Sequence, residues 1–450
     1  MQLSISDGVG ERLSSFLEAL GKHLWDSRQR ASFAMYVLGL LSEQPRKSVE
    51  SIATLFATTP EEADVIHQRL LNFLASAPWP DGDVRRTAVS FALPELLRRA
   101  PLQSLIIDDT SFPKSGDNSV GVQRQYCGAL GKVANCQVVV SLTAATERAH
   151  LPIDAQLYLP KKWTDSEALR KQAHIPSEVT FCTKPQIALD LLTRAKEQGL
   201  DSGVVLADGA YGDSCAFRDG IRRLKLHYAV GVQLSTKVQL VRNEQAVDSI
   251  EALLTRVGAR PFRRYAWREG TKKSLQARFA FFPVRIPNSD HDEPLWLIIE
   301  RRDGAVQRDR AYLCSLPQKT HRKRLIYVLK ERWCTEAAYQ ESKQQLGLAQ
   351  YQGRLYPGLQ HHLSAVICSY AFIVAERERN CDAANPRAAP MQRTAHILQR
   401  HAPYSVATLR KHLARALTPW LLAYLTKLPR RKKSPPIPLS STPQANATYG

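Results

Sequence analysis

The sequence predicts an α/β fold that follows a helical region and is interrupted by a β-rich segment. In the first 100 residues apolar side chains recur every three or four positions, as from Phe16 to Leu24, which is typical of helices. Strand and helix patterns then alternate through residues 101–232, and such alternation favours partly parallel strands covered by helices. Strand patterns follow one another through residues 233–320, and helical patterns return at 323–345 and 359–379.

Length and charge limit the possible architectures and partners. The chain has 450 residues, too many for one compact core, so we expect two or three domains. Lysine and arginine outnumber aspartate and glutamate by 62 to 42, giving a net charge of +20. This excess suits a polyanionic partner, and double-stranded DNA is the obvious one.

The patterns divide the chain into four segments. Residues 1–100 are predicted to form a helical DNA-binding domain, and residues 233–320 a β-rich insertion. The insertion would split an α/β core made of residues 101–232 and 321–380. Residues 381–450 are predicted to form a helical region with a basic tail, which we expect to be disordered because it is rich in Pro, Ser and Thr.

Two absences in the sequence bear on location. The eight cysteines form no Cys-x-x-Cys pair, which indicates reduced thiols in a cytosolic protein rather than a zinc site. No apolar run approaches the roughly 20 residues that span a bilayer, so we expect no membrane partner. The expected location is the cytoplasm, in the compartment that contains the DNA.

The helical region contains one clear helix start. Thr59 is a capping residue, Pro60 stands at the first helical position and Glu62 follows three residues after the cap. Residues 48–56 form a helical pattern just before it. The pair is either a helix-turn-helix that reads DNA or an ordinary helical hairpin, and the sequence leaves both open.

Aspartates end two apolar strand patterns. Asp108 and Asp109 follow Leu105-Ile106-Ile107, and Asp208 follows Val204-Val205-Leu206-Ala207. Successive strand residues point to opposite faces, so only one of the first pair is expected in a shared site. Asp213 is a weaker rival of Asp208.

A third acidic residue lies on a helical face of unusual character. At 100° per residue, Arg332, Glu336, Tyr339 and Lys343 fall within about 60° of one another. One face therefore presents a carboxylate between two cations and an aromatic ring. Such a face suits binding of a phosphate beside a metal ion.

These residues resemble the DDE transposases of bacterial insertion sequences. Arg332, Glu336 and Lys343 match the signature Tyr-(2)-Arg-(3)-Glu-(6)-Lys of the insertion-sequence-four-like group, with Leu329 at the tyrosine position. Two further motifs resemble the insertion-sequence-seven-hundred-one branch: SVGVQRQYCGALGK at 119–132 and LADGAYGD at 206–213.

The resemblance implies a ribonuclease-H-like fold and a catalytic, metal-binding trio of Asp109, Asp208 and Glu336. Asp109 is selected because the family pattern has aspartate followed by threonine. Three carboxylates from distant parts of the chain would suit two divalent ions, with Mg²⁺ preferred and Mn²⁺ as substitute. Arg332 and Lys343 would contact DNA phosphates.

The resemblance also implies a reaction and an assembly. The expected function is recognition of terminal inverted repeats, cleavage of DNA and joining of the freed 3′-hydroxyl to target DNA. Two ends must be cut together, so a homodimer is expected in the synaptic complex. The rival hypotheses are a DNA-binding relative that has lost cleavage, and a host nuclease of the same fold that cleaves without joining.

Overall fold

The computed structural model describes residues 8–241, 247–269, 274–287, 293–302, 309–384 and 405–427. Its centre is one mixed sheet of twelve strands, with helices packed on both faces. The predicted basic tail, which begins at Arg430, lies outside the described residues.

Five helices precede the sheet, as the apolar spacing predicts. They are α1 (Val9–Gly21), α2 (Ser27–Leu41), α3 (Val49–Leu55), α4 (Pro60–Ala75) and α5 (Asp81–Leu97). The predicted start of α4 is confirmed: the Thr59 side chain accepts a hydrogen bond from the Glu62 N–H, and Pro60 is the first helical residue.

Helices α3 and α4 pack against each other, as both predicted arrangements require. However, the first turn of α4 carries Glu61 and Glu62, and Asp64 follows, all of them exposed. In a helix-turn-helix the N-terminal residues of the second helix approach the bases. Three carboxylates there would repel the DNA phosphates, so the charge of α4 favours the ordinary helical hairpin.

Six strands and five helices make up the region between residues 104 and 232. The strands are β1 (Ser104–Pro113), β2 (Gln123–Cys127), β3 (Lys132–Ala145), β4 (His150–Tyr158), β5 (Val204–Ala207) and β6 (His227–Val232). The helices are α6 (Lys161–Asp165), α7 (Glu167–Ala173), α8 (Lys184–Glu197), α9 (Gly209–Gly212) and α10 (Cys215–Arg223).

The order of these strands places both aspartate motifs side by side. β1 pairs antiparallel with β3, and β3 with both β2 and β4. On its other edge β1 pairs parallel with β5, and β5 parallel with β6. The carboxyl end of β5 therefore lies beside the middle of β1, because β1 runs on to Pro113.

The predicted β-rich insertion extends this sheet. Its elements are β7 (Lys237–Leu240), β8 (Val247–Ser249), α11 (Ile250–Val257), β9 (Arg263–Glu269), β10 (Ser274–Arg285), β11 (Leu295–Arg301) and β12 (Arg310–Cys314). β12 pairs antiparallel with β6, and the strands continue in the order β12–β11–β10–β7–β8. The insertion and the first strands thus form one continuous sheet.

Four helices complete the described chain: α12 (Arg322–Lys330), α13 (Trp333–Gln345), α14 (Tyr356–Ala384) and α15 (Val406–Lys427). The predicted single helix over 323–345 is wrong in one respect, since it is broken at Glu331 and Arg332. The buried Glu331 side chain accepts a hydrogen bond from the Ser104 hydroxyl at this break. The contact ties the junction to the start of β1.

Helix α14 corrects the statement that no segment approaches membrane length. Residues 356–380 contain an 18-residue window with a mean hydropathy of 1.2, which is long and apolar enough by composition. However, 94% of that window is buried inside the protein, as in the core helix of a globular protein. The N-terminal helices pack on it: the Phe16 ring lies 4.9 Å from Phe91 and 5.3 Å from Phe372, between centroids. Helices at both ends of the chain therefore share one hydrophobic core.

Candidate active site

Asp108 lies on the face of β1 that is covered by α13. Its Oδ2 accepts a hydrogen bond from the Arg332 guanidinium at 3.1 Å. Its register partner on β3 is Ser141, whose hydroxyl lies 2.7 Å from the Tyr339 hydroxyl of α13. Because directly paired residues share a face, Asp108 points towards the helix that carries Glu336.

Asp109 points to the opposite face of β1, as strand alternation requires. Its Oδ2 accepts hydrogen bonds from the Lys184 ammonium at 2.9 Å and from the Tyr211 hydroxyl at 3.3 Å. Lys184 begins α8, and Tyr211 lies on the short helix after Asp208. Asp109, the aspartate that the family pattern selects, is thus held by a cation and a tyrosine.

Asp208 caps helix α9 directly after β5. Its Oδ1 accepts a hydrogen bond from the Ala210 N–H at 3.0 Å. The turn packs tightly on β6, since a Cβ atom on Gly212 would lie 1.9 Å from the carbonyl oxygen of Gly231. Its rival Asp213 accepts a hydrogen bond from the Gln233 N–H at 2.8 Å, which secures the turn after β6.

Glu336 is exposed in the first turn of α13. Glu341, five residues later on the same helix, points elsewhere. Its Oε2 lies 3.2 Å from His150 Nε2 and accepts a hydrogen bond from the Tyr370 hydroxyl. The two glutamates therefore occupy different sides of α13, as the helical spacing predicts.

A cleft of about 1150 Å³ opens between the first strands and the insertion. Asp208, Glu336 and Arg332 line one side. The other side includes Arg310 and Tyr312 of the insertion strand β12. The insertion therefore supplies a wall of the cleft that holds two of the three predicted acidic residues.

Arg332 is the electrostatic centre of this group. Burial alone would lower its pKa, but the carboxylates of Asp108, Asp208 and Glu336 outweigh burial and raise the pKa above its ordinary value. Burial raises the pKa of Asp108 to about 6, against the opposing effect of Arg332 and with a further contribution from Asp208. The Nε of Arg332 is buried and has no hydrogen-bond partner in the described part of the chain.

Lys343 lies farther along α13. Its ammonium is 5.7 Å from the centroid of the Phe112 ring on β1, and burial lowers its pKa. The structure thus brings Glu336 and Asp208 to one cleft with Arg332, and it places Lys343 two turns of helix away.

The carboxylates of the candidate site are suitable ligands for a hard divalent cation, although they do not converge on one point. Within the residues that the structure describes, no three His, Cys, Asp or Glu side chains converge closely enough to hold a metal ion. Instead, the Arg332 guanidinium bonds Asp108, and the charges of Asp208 and Glu336 also raise its pKa. Carboxylate oxygens are ligands that Mg²⁺ and Mn²⁺ accept.

The mixed sheet with helices on both faces defines an α/β protein with an acidic cleft. The sequence model described as "DDE superfamily endonuclease" matches residues 16–274, more than half of the chain. The chain therefore belongs to the DDE superfamily endonucleases. The matched residues include Asp108, Asp109 and Asp208 and end before Glu336.

One curated relative supports the same family branch. The chain is 25% identical over 337 residues to the "Probable transposase for insertion sequence element IS701" of Microchaete diplosiphon. The alignment covers 74% of this chain and 80% of the relative. The resemblance predicted from the sequence motifs is thereby confirmed.

Sequence reasoning missed three residues of the site region. It did not single out Lys184 or Tyr211, which hold Asp109, or the insertion's Arg310, which faces the cleft. Tyr211 lies within the motif at 206–213 and was therefore visible as a signal. Lys184 and Arg310 reach the site region only through packing between distant parts of the chain.

Proposed function

We propose that this protein is a transposase of an insertion sequence, which binds terminal inverted repeats, cleaves the DNA and joins the 3′-hydroxyl ends to target DNA. One observation carries the proposal. Arg332 bonds Asp108 and, together with Asp208 and Glu336, lines a cleft of about 1150 Å³. Membership of the endonuclease family and the name of the curated relative support it.

Asp208, Glu336 and one carboxylate of the Asp108–Asp109 pair would hold Mg²⁺, or Mn²⁺ in its place. Two such ions stabilise the charge on the attacking and leaving oxygens of a phosphodiester. The sequence pattern selects Asp109 as the first ligand. The strand register supports Asp108, because that side chain faces α13 and Asp109 faces Lys184.

Arg332 and Lys343 would bind DNA phosphates on either side of the cut. The buried Nε of Arg332 lacks a partner among the described residues, and a phosphate oxygen would satisfy it. Lys343 is seven residues from Glu336, or about 10 Å along a helix, which is more than one nucleotide away. The two cations would thus orient the strand past the carboxylates.

The strand order supports a ribonuclease-H-like core within this proposal. Three antiparallel strands, β4–β3–β1, are followed by two strands parallel to β1. The acidic residues then come from β1, from the end of β5 and from a helix that follows β6 in the chain. The insertion would be an elaboration on the last edge of that core.

The partners follow from the reaction. The protein would bind double-stranded DNA at the element's inverted repeats and at the target, in the cytoplasm with the nucleoid. Two ends must be cut in one complex, so we propose a homodimer in the synaptic assembly. The net charge of +20 supports a polyanionic partner.

A strand-transfer assay tests the proposal. The full chain is incubated with Mg²⁺, labelled duplexes that end in the repeats flanking its gene, and a supercoiled target plasmid. Joined products that require both ends support transposition. Cleavage without joining would indicate a nuclease, and specific binding without cleavage would indicate a recognition protein.

A further inference from the structure

The motif at 119–132 forms an exposed β-hairpin whose tip has an apolar surface. Three large apolar side chains there remain open to solvent: Tyr126 (65% exposed), Leu130 (48%) and Val133 (53%). Tyr126 and Val133 are direct cross-strand partners and therefore share one face. Arg124, two residues before Tyr126, lies on that face and is also exposed.

The charged side chains of this hairpin are all positive. No aspartate or glutamate occurs from residue 118 to residue 146, whereas Arg124 and Lys132 are both exposed. Asp117, just before this stretch, is engaged with the Asn135 side-chain amide at 2.8 Å. A surface that combines cations with an open aromatic ring is complementary to nucleic acid, which offers phosphates and flat bases.

The hairpin is anchored next to the candidate active site. The Ala129 N–H donates a hydrogen bond to the Ser111 hydroxyl oxygen at 3.0 Å, and the Cys127 thiol lies 3.4 Å from the same atom. Ser111 is two residues beyond Asp109 on β1, which is about 7 Å along a strand. The turn of the hairpin is therefore fixed to the strand that carries both aspartates.

We propose that the tip formed by Tyr126, Leu130 and Val133 is a DNA-contacting finger that stacks on an unpaired base beside the cleavage site. Arg124 and Lys132 would bind the phosphates of the same strand. This inference rests on the proposed function and adds an element to it, contact with locally unpaired DNA.

The two cations on and beside the edge strand β2 also disfavour its pairing with an edge strand of a second copy.

The test compares two labelled DNAs: a plain duplex and the same duplex with a short unpaired bubble. Binding of the full chain is measured by fluorescence anisotropy at fixed salt. The wild type is expected to prefer the bubble, and Tyr126→Ala to lose about tenfold in affinity for the bubble while binding the duplex almost normally. Trp25→Ala is the matched control, because Trp25 is an exposed aromatic residue in the α1–α2 loop.

Three results would overturn the inference. The first is an unchanged bubble preference in Tyr126→Ala, and the second is an equal loss in Trp25→Ala. The third is a change of oligomeric state in Tyr126→Ala, measured by sedimentation, with DNA binding intact, which would make the tip a contact between copies. In each case, nicking of repeat ends by the wild type would still support the proposed function. A wild type that binds neither the duplex nor the bubble would contradict both the inference and the proposed function.

Discussion

Arg332, at the start of α13, donates a hydrogen bond to Asp108 in the middle of β1 across 3.1 Å. The charges of Asp208 and Glu336 also raise the pKa of this guanidinium, against the effect of burial. A divalent cation would compete with Arg332 for this position. The side chain would then be released towards a phosphate.

We therefore expect Arg332→Gln to increase stabilisation by metal. Without the guanidinium the carboxylates repel one another, and Mg²⁺ gains the interaction that Arg332 had. The rise in melting temperature with added Mg²⁺ should be larger than in the wild type, and each tenfold gain in affinity corresponds to about 1.4 kcal/mol. Lys343→Gln is the control, since Lys343 contacts the Phe112 ring. A smaller Mg²⁺ shift in Arg332→Gln would contradict the competition.

The two adjacent aspartates should differ in function. Asp108→Asn removes the carboxylate that faces α13, and we expect Mg²⁺-dependent nicking of an end duplex to fall by at least about a hundredfold, as for a lost metal ligand. Asp109→Asn leaves the Lys184 ammonium with a neutral partner and should reduce nicking less. The reverse order of the two variants would favour Asp109, the ligand that the family pattern selects.

Local patterns predicted many of the elements. The strand at 227–232 and the helix near 185–198 occur as β6 and α8, because their apolar periodicity and capping residues act within a few positions. The pairing of β6 with β12 was not visible, since it joins residues about 80 positions apart. Strand pairing at such separation leaves no local signal.

The candidate site, like the fold, was predictable from the sequence only in its local features. The sequence places Asp108 and Asp109 on opposite faces of a strand, but it cannot say which face α13 covers. That depends on the pairing of Asp108 with Ser141 and on the contact of Ser141 with Tyr339. The helix break before Arg332 was also missed, because it depends on the buried contact of Glu331 with Ser104 rather than on a glycine or proline.

Glu331 should make stability depend on pH. Burial raises its pKa to about 7, against the opposing hydrogen bond from Ser104. The unfolded chain loses this proton near its ordinary pKa of 4.5, so between about pH 4.5 and 7 the unfolding free energy falls as pH rises, by up to roughly 3 kcal/mol.

Glu331→Gln should remove this dependence. In urea denaturation at pH 5 and pH 8, the variant is expected to gain stability relative to the wild type at the higher pH. Glu197→Gln, at an exposed position on α8, is the control and should show no such gain. A constant difference between wild type and Glu331→Gln at both pH values would contradict the assignment.

The two glutamates of α13 should separate catalysis from structure. Glu336→Gln keeps the size of the side chain and removes the charge in the cleft. It should abolish Mg²⁺-dependent nicking while preserving melting temperature and DNA affinity. Glu341→Gln is the matched variant; it should retain nicking per folded molecule but lose stability, since Glu341 bonds His150 and Tyr370 in the interior. An active Glu336→Gln protein would remove Glu336 from the site.

The last prediction concerns a buried ion pair that connects the insertion to the active-site helices. The ammonium of Lys330, the last residue of α12, lies 2.5 Å from a carboxylate oxygen of Glu300 on β11. The Glu300 side chain is fully buried. The Lys330 ammonium also lies 4.4 Å from the centroid of the Trp267 ring, and the Tyr312 hydroxyl donates a hydrogen bond to Glu300 at 3.1 Å. Arg332 follows Lys330 by two residues, so we expect the Lys330–Glu300 pair to fix the position of Arg332.

Lys330→Met leaves the buried Glu300 carboxylate with only the half-exposed Arg302 as a charged partner, and should cost up to about 3–5 kcal/mol of unfolding free energy. The double variant Lys330→Met, Glu300→Gln leaves no buried unpaired charge, since Arg302 is half-exposed, and should recover most of that loss in urea denaturation. Its nicking should nevertheless stay reduced with DNA affinity unchanged, because the connection that positions Arg332 is gone. Arg302→Gln, at the half-exposed rim of the same cluster, should cost under about 1 kcal/mol and serves as the control. Full nicking by the double variant would show that the pair stabilises the fold without positioning the site.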